Sequence, residues 1–225
     1  MSSLLRQAAG NYKRWPRLYY YAIGKIALDP AYPAVAKTLR NSTLPLLDLG
    51  CGMGLLAAYL RASGHRALIV GCDVDEEKIE IAKTVLPGIG QSFRVADALD
   101  FCEHCGDVVM LDVLHYFSDE DQQRLLRKIA ASIAPQGAAL IRLTLNEPNW
   151  RFAATKAEEW FVQFTRWIPM QGGNFPTLDE VSLPFVDEDL EVKVRPMWGW
   201  TPFNSHLLTI RRKSKFEDRS GVFQK

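Results

Sequence analysis

Asp48, Gly50, Gly52 and Gly54 stand at alternate positions where the apolar run through Leu46, Leu47 and Leu49 ends. Glycines spaced by two let the backbone turn through positive φ and leave bare main chain for a ligand to lie against. A helix expected to open at Leu55 adds unpaired N–H groups at the same place. The acid beside the turn selects among ligands. A carboxylate at position 48 repels a pyrophosphate and suits an ammonium, so the loop favours a nucleoside cofactor with a cationic end over a dinucleotide.

Two more acids follow, each closing an apolar run. Residues 67–72 lead into Asp73, which is placed to take both hydroxyls of a ribose. Residues 92–95 lead into Asp97-Ala98, where a carboxylate accepts a hydrogen bond from an adenine amino group. Strand–glycine–helix joints also bind NAD, FAD and phosphates. NAD proteins, however, have no standing requirement for the third acid.

In this order, and from about Pro45 to Arg142, these motifs resemble the class I S-adenosylmethionine-dependent methyltransferases. The resemblance implies S-adenosylmethionine as cofactor. It assigns Asp48, Gly50, Gly52 and Gly54, with Cys51 among them, to the glycine motif. Asp73, followed by Val74, becomes the ribose acid, and Asp97 with Ala98 the adenine pair. Residues 107–116 match the family's fourth strand, where the backbone around Asp112 and Val113 faces the methionine part and the side chains just beyond border the acceptor. Ala134-Pro135-Gln136-Gly137 matches the turn before strand five.

Strands expected near 45–49, 67–73, 92–96, 107–112 and 138–144 alternate with helices near 54–63, 75–86 and 119–133, a pattern that demands parallel crossovers. Gly64 and Pro87-Gly88 stop the first two helices, and Ser118 with Asp121 starts the third. Late strands near 189–197 and 205–212 complete a doubly wound, seven-stranded, mostly parallel α/β sheet with helices on both faces and a C-terminal antiparallel hairpin. The chain thus divides into an arm (1–42), a cofactor domain (43–213) and a basic tail (214–225).

Substrate choice belongs to two segments outside this generic frame. The arm carries Tyr12, Trp15, Tyr19, Tyr20, Tyr21 and Tyr32 on two expected helices, 17–27 and 31–41, which either pack it onto the domain or make it a lid that keeps water from a sulfonium. The insert 146–176 holds Phe152, Trp160, Phe161, Phe164, Trp167 and Ile168 at helical spacings, more rings than one packed face needs. Thr177 and Glu180 after it are spaced as a capping box.

At 225 residues, 48% hydrophobic and 24% charged, the chain has the composition of one ordinary globular unit. It contains no apolar run of membrane-spanning length and no secretory leader pattern, so a cytoplasmic location is expected. Four cysteines, Cys51, Cys72, Cys102 and Cys105, form no disulfide framework, and Cys102-Glu103-His104-Cys105 lacks the second pair a zinc site needs, so no metal is expected. Residues 1–40 carry a balance of +6 and residues 211–225 one of +4, leaving −9 of the total +1 for the body between. Basic ends on an acidic body do not make a nucleic-acid groove.

Displacement at a sulfonium needs in-line approach more than covalent help, and a base only when the attacking atom arrives protonated. His115, just past the fourth strand, is the candidate base, its alternative being a packed, hydrogen-bonded histidine. Arg142 lies on a strand expected to be buried, facing either the acceptor or a carboxylate such as Asp112. Arg151, Asn174 and Asn204 are further candidates for the pocket wall. The place of the Asn/Asp-Pro-Pro-aromatic motif of base-amine methylating enzymes is taken by Asp112-Val113-Leu114-His115, which argues against a nucleobase acceptor. Residues 17–25 and 196–204 resemble the short bacterial methyltransferases of secondary-metabolite and aryl-polyene pathways, which implies an aromatic or acyl acceptor, free or carrier-bound. A nicotinamide-dependent oxidoreductase and a non-catalytic cofactor-binding protein are the competing readings.

Overall fold

A computed structural model describes residues 3–101, 103–155, 173–198 and 204–213. Its centre is a seven-stranded sheet in the order β3-β2-β1-β4-β5-β7-β6. The strands are β1 (Leu46–Leu49), β2 (Ile69–Asp73), β3 (Gln91–Val95), β4 (Asp107–Leu111), β5 (Ala138–Thr144), β6 (Leu190–Pro196) and β7 (Ser205–Arg212). β1 to β5 are parallel, and β7 runs antiparallel to both β5 and β6. The doubly wound sheet with its closing hairpin therefore stands as expected.

The arm differs from expectation. It contains three helices, α1 (Ser3–Gly10), α2 (Pro16–Leu28) and α3 (Ala31–Thr38), where two were expected. The additional helix is α1, whose inward face of Leu5, Ala8 and Ala9 lies close on α4 (Leu55–Ala62). The arm and α4 share one hydrophobic cluster on this face of the sheet. α6 (Asp119–Ser132) and α8 (Leu178–Val186) cover the other. A further helix, α7, is described over residues 150–155. The remaining apolar residues of the insert, Trp160, Phe161, Phe164, Trp167 and Ile168, and residues 199–203 lie outside the described residues.

The caps that set helix directions agree with their residues. Asp75 accepts from Lys78 N–H to open α5 (Glu76–Val85), and Ser118 accepts from Asp121 N–H to open α6. Thr177 and Glu180 form a reciprocal capping box on α8. Pro184 inside α8 cannot donate to the Glu180 carbonyl, and Gln123 on α6 donates its side-chain amide to that oxygen at 2.8 Å instead.

Alternation along β1 places the site. All four of its residues are buried; Leu47 and Leu49 face the α6 side, so Asp48, in step with Leu46, faces the arm. An acid in the middle of the sheet thus points at the surface the arm covers.

Candidate active site

At the C-terminal edge of the parallel strands two cavities adjoin. One, of about 290 Å³, takes its walls from the β1 turn, the ends of β2, β4 and β5, and the arm. The other, of about 240 Å³, lies over the ends of β2 and β3. Gly50, Asp73, Lys78, Val113 and Tyr116 border both, so the two form one groove.

The β1 turn uses its glycines for different ends. Gly50, Gly52 and Gly54 all have positive φ, 73°, 52° and 77°. A β-carbon on Gly50 would come within 2.2 Å of Val113 Cγ2, so this glycine lets the β4 loop approach. Gly52 faces open space toward the groove, with only Lys78 Cδ near at 3.9 Å. Gly54 borders neither cavity; it is the left-handed cap of α4 and packs toward Ala82 and Phe93. Among the three glycines it is the one that packs against neighbouring side chains rather than facing the groove.

Asp73 is held by two backbone donors, Gly52 N–H at 2.8 Å and Asp75 N–H at 3.0 Å, which join the β1 turn to the β2 turn. Carboxylate lone pairs remain for a ribose. Asp97 caps the short turn that follows it by accepting from Leu99 N–H at 2.8 Å, and with Val74 and Ala98 it lines the second cavity. Asp48 is 2% exposed, and among the described residues its Oδ2 has no hydrogen-bond partner. Burial first, and the charge of Asp73 second, push its carboxyl up to about 7. A buried unpartnered carboxylate in a cavity wall is costly unless a cation meets it. Cys51 lines the same cavity as a small buried thiol whose pKa burial raises.

Arg142 reaches the groove from β5 and is nearly saturated by acids. Its Nε and Nη2 donate to the two carboxylate oxygens of Asp112, and its Nη1 to Asp29 at the end of α2. Asp112 itself has φ 58°, a left-handed conformation rare for a non-glycine residue, and its bidentate bond to Arg142 holds it there. Asp29 pairs in turn with Lys25 at 2.9 Å and accepts from Ala31 N–H at 2.9 Å. Burial raises the Asp29 carboxyl, but Arg142, then Lys25 and the backbone bond, together hold it below its ordinary value. Of these four charges Asp112 and Arg142 were expected at the site, and Tyr21 and Tyr32 beside them belong to the aromatic arm; Lys25 and Asp29 were not anticipated as site residues. The available signal was Asp29, the lone acid of residues 1–40, read against a buried arginine that needed partners.

His115 borders neither cavity. It is 9% exposed, stacks on Phe175 at 5.7 Å and lies against Tyr116 at 4.1 Å, and burial pushes its pKa down to about 4. Tyr116, the next residue, lines both cavities. Asn174 donates to the Phe117 carbonyl at 2.9 Å, and Arg151 lies over the rings of Trp150 and Trp198 at 4.6 and 4.5 Å. Asn204, fully buried, donates to the Leu145 carbonyl and to Glu147, tying the start of β7 to the start of the insert.

Residues 46–137 match the family described as a methyltransferase domain. They are a class I S-adenosylmethionine-dependent methyltransferase domain. A ubiquinone biosynthesis O-methyltransferase of Bradyrhizobium diazoefficiens is 28% identical over 71% of this chain and 63% of its own length. A trans-aconitate 2-methyltransferase of Pseudomonas aeruginosa is 30% identical over 67% of this chain and 53% of its own length. The chain thus spans between half and two thirds of each of these relatives. Magnesium protoporphyrin IX methyltransferase of Synechocystis, solved with S-adenosylhomocysteine bound, shares the fold with a TM-score of 0.62 at 19% identity, over 81% of this chain and 82% of that one. The domain's cofactor is S-adenosylmethionine, and the groove fits it. A buried carboxylate lacking a cation stands at one end, and the acids Asp73 and Asp97 stand along the other.

Proposed function

We propose that this chain transfers a methyl group from S-adenosylmethionine to a small aromatic or acyl acceptor, free or carrier-bound. One observation carries the reading: the unpartnered Oδ2 of buried Asp48 and the carboxylates of Asp73 and Asp97 belong to one groove. That spacing of charge suits an ammonium at one end and an adenosine at the other. When bound, the cofactor supplies a methyl on a sulfonium that is already a good leaving group. Asp73, fixed by Gly52 and Asp75, takes the ribose hydroxyls, and Asp97 takes the adenine amine. Asp48 receives the ammonium, and Asp112 and Val113 border the methionine part.

Tyr21, Tyr32 and Tyr116 border the amino-acid end of the groove, so a flat acceptor has aromatic walls to lie against. The named relatives methylate small molecules of ubiquinone biosynthesis and trans-aconitate, which supports an acceptor of that size. His115 as base acts on an acceptor hydroxyl that reaches past Tyr116; its pKa of about 4 leaves the imidazole neutral at neutral pH but makes it a weak proton acceptor there. Arg142 acts by holding Asp112 and Asp29, the two sides of the acceptor end. For a carboxylate acceptor, proximity alone suffices.

Thermal shift with S-adenosylmethionine, S-adenosylhomocysteine and NAD(P) tests the cofactor, with stabilisation expected from the first two only. Phenolic acids and carrier-bound acyl groups, scored by mass gain of one methyl, test the acceptor. Stabilisation without a methylated product from any of these would favour a binding protein.

A further inference from the structure

The groove's amino-acid end contains more charge than the family's motifs assign, and most of it is already committed. Arg142 spends Nε, Nη1 and Nη2 on Asp112 and Asp29. Both oxygens of Asp112 are taken by that arginine. Lys78 pairs with Asp75 at 3.1 Å and stands at the junction of the two cavities, on the ribose side. Away from the ribose side, two groups among the described residues retain capacity. Asp48 has the unpartnered Oδ2, and Lys25 has one ion pair at 2.9 Å, a side chain one-third exposed, and three N–H donors to share. Both line the same cavity.

We propose that Lys25, on the arm helix α2, receives the carboxylate of the cofactor's amino-acid end while Asp48 receives its ammonium, and that Asp29, anchored on Arg142, positions Lys25. This rests on the methyltransferase reading and adds an arm residue to the cofactor site. An α-amino acid presents opposite charges on one carbon, and a cavity wall that offers Asp48 and Lys25 away from the ribose side complements both. The location of Asp29 supports the relay. A carboxylate at the C-terminal cap of a helix meets the negative end of the helix dipole, so α2 gains nothing by itself from an acid there. The partners it gains are Arg142 from the sheet and Lys25 one turn back.

The test is calorimetry on the full chain with three ligands: S-adenosylhomocysteine, its analogue lacking the carboxylate, and 5′-methylthioadenosine, which lacks the whole amino-acid end. Lys25→Met is expected to weaken S-adenosylhomocysteine about 10- to 100-fold, the loss of a charge-assisted bond, and to leave the other two within about twofold. Lys25→Arg should restore most of the affinity. Asp29→Asn should produce a smaller loss with the same ligand preference, which general destabilisation would not produce. Equal losses on all three ligands, or none on S-adenosylhomocysteine, would overturn the assignment while leaving the methyltransferase reading in place. A wild-type chain that binds none of the three overturns both.

Discussion

The two ends of the groove are built by different means. At the adenosine end, Asp73 and Asp97 are each fixed by backbone N–H groups close by, in the turns that follow their own strands or the neighbouring one. At the amino-acid end, Lys25, Asp29, Asp112 and Arg142 hold one another by side chains from α2, the β4 loop and β5. The first end depends on local turns and tolerates change elsewhere. The second is a chain of charges with Arg142 and Asp29 buried at its centre and Lys25 and Asp112 partly exposed at its ends, so removing either central member leaves the other's buried charge short of a partner.

Breaking the second end should therefore cost most. Arg142→Met breaks the buried pair with Asp29, which keeps only Lys25 as a cation, and a loss of about 3 kcal/mol in unfolding free energy is expected in denaturant titration. Adding Asp29→Asn should recover part of it, and strict additivity of the two losses would show that the residues do not act as a pair. At the first end, Asp73→Ala is expected to weaken cofactor binding by about 1.5–3 kcal/mol in calorimetry. Because Asp73 also ties the β1 turn to the β2 turn, a small fall in Tm should accompany that loss. Unchanged affinity would remove Asp73 from the site.

A pH series sharpens the contrast further. With its carboxyl raised to about 7, Asp48 holds a proton in the free protein over a range where an unfolded aspartate, near 3.9, has lost it. The free protein's stability from this group is present at low pH and declines as pH rises from about 4 to 7. An ammonium needs the carboxylate, so S-adenosylhomocysteine affinity should move the opposite way, rising about tenfold per unit below pH 7 and levelling above it. 5′-Methylthioadenosine should show little of this slope, and Asp48→Asn should abolish it. The smallest effect is expected at His115. With its pKa near 4, the imidazole is neutral throughout pH 6–9, so kcat should be flat in His115-dependent terms across that range. A rate rising through pH 6.5 would give His115 an ordinary, solvated titration. His115→Gln separates base from packing: a fall in kcat of about 10² at unchanged cofactor affinity marks a base, and a variant within about threefold marks packing.

These contrasts follow how much of the molecule can be read along the chain. Glycine turns, strand-end acids and helix caps are short-range patterns, so the β1 turn, Asp73, Asp97 and the starts of α5, α6 and α8 were legible within a few residues each. α1 carries a signal of the same range, an apolar face through Leu5, Ala8 and Ala9, and was open to the same reading. His115 has the right type and position for a base, yet its exclusion from both cavities depends on Phe175, sixty residues later, stacking on its ring.

By itself the sequence determined the sheet order's ingredients, the cofactor turn and the three acids that border it, because each rests on periodicity or on backbone geometry spanning one turn. Only the tertiary structure decided that Gly50 makes room for Val113 and that Gly54 lies toward Ala82 and Phe93. It also decided that Asp48 is buried without a partner and that Asp29 reaches Arg142 across 113 positions of chain. The reason is physical: a charge's meaning depends on its burial and its partners, and both are set by segments far apart in the chain that the fold brings within hydrogen-bonding distance.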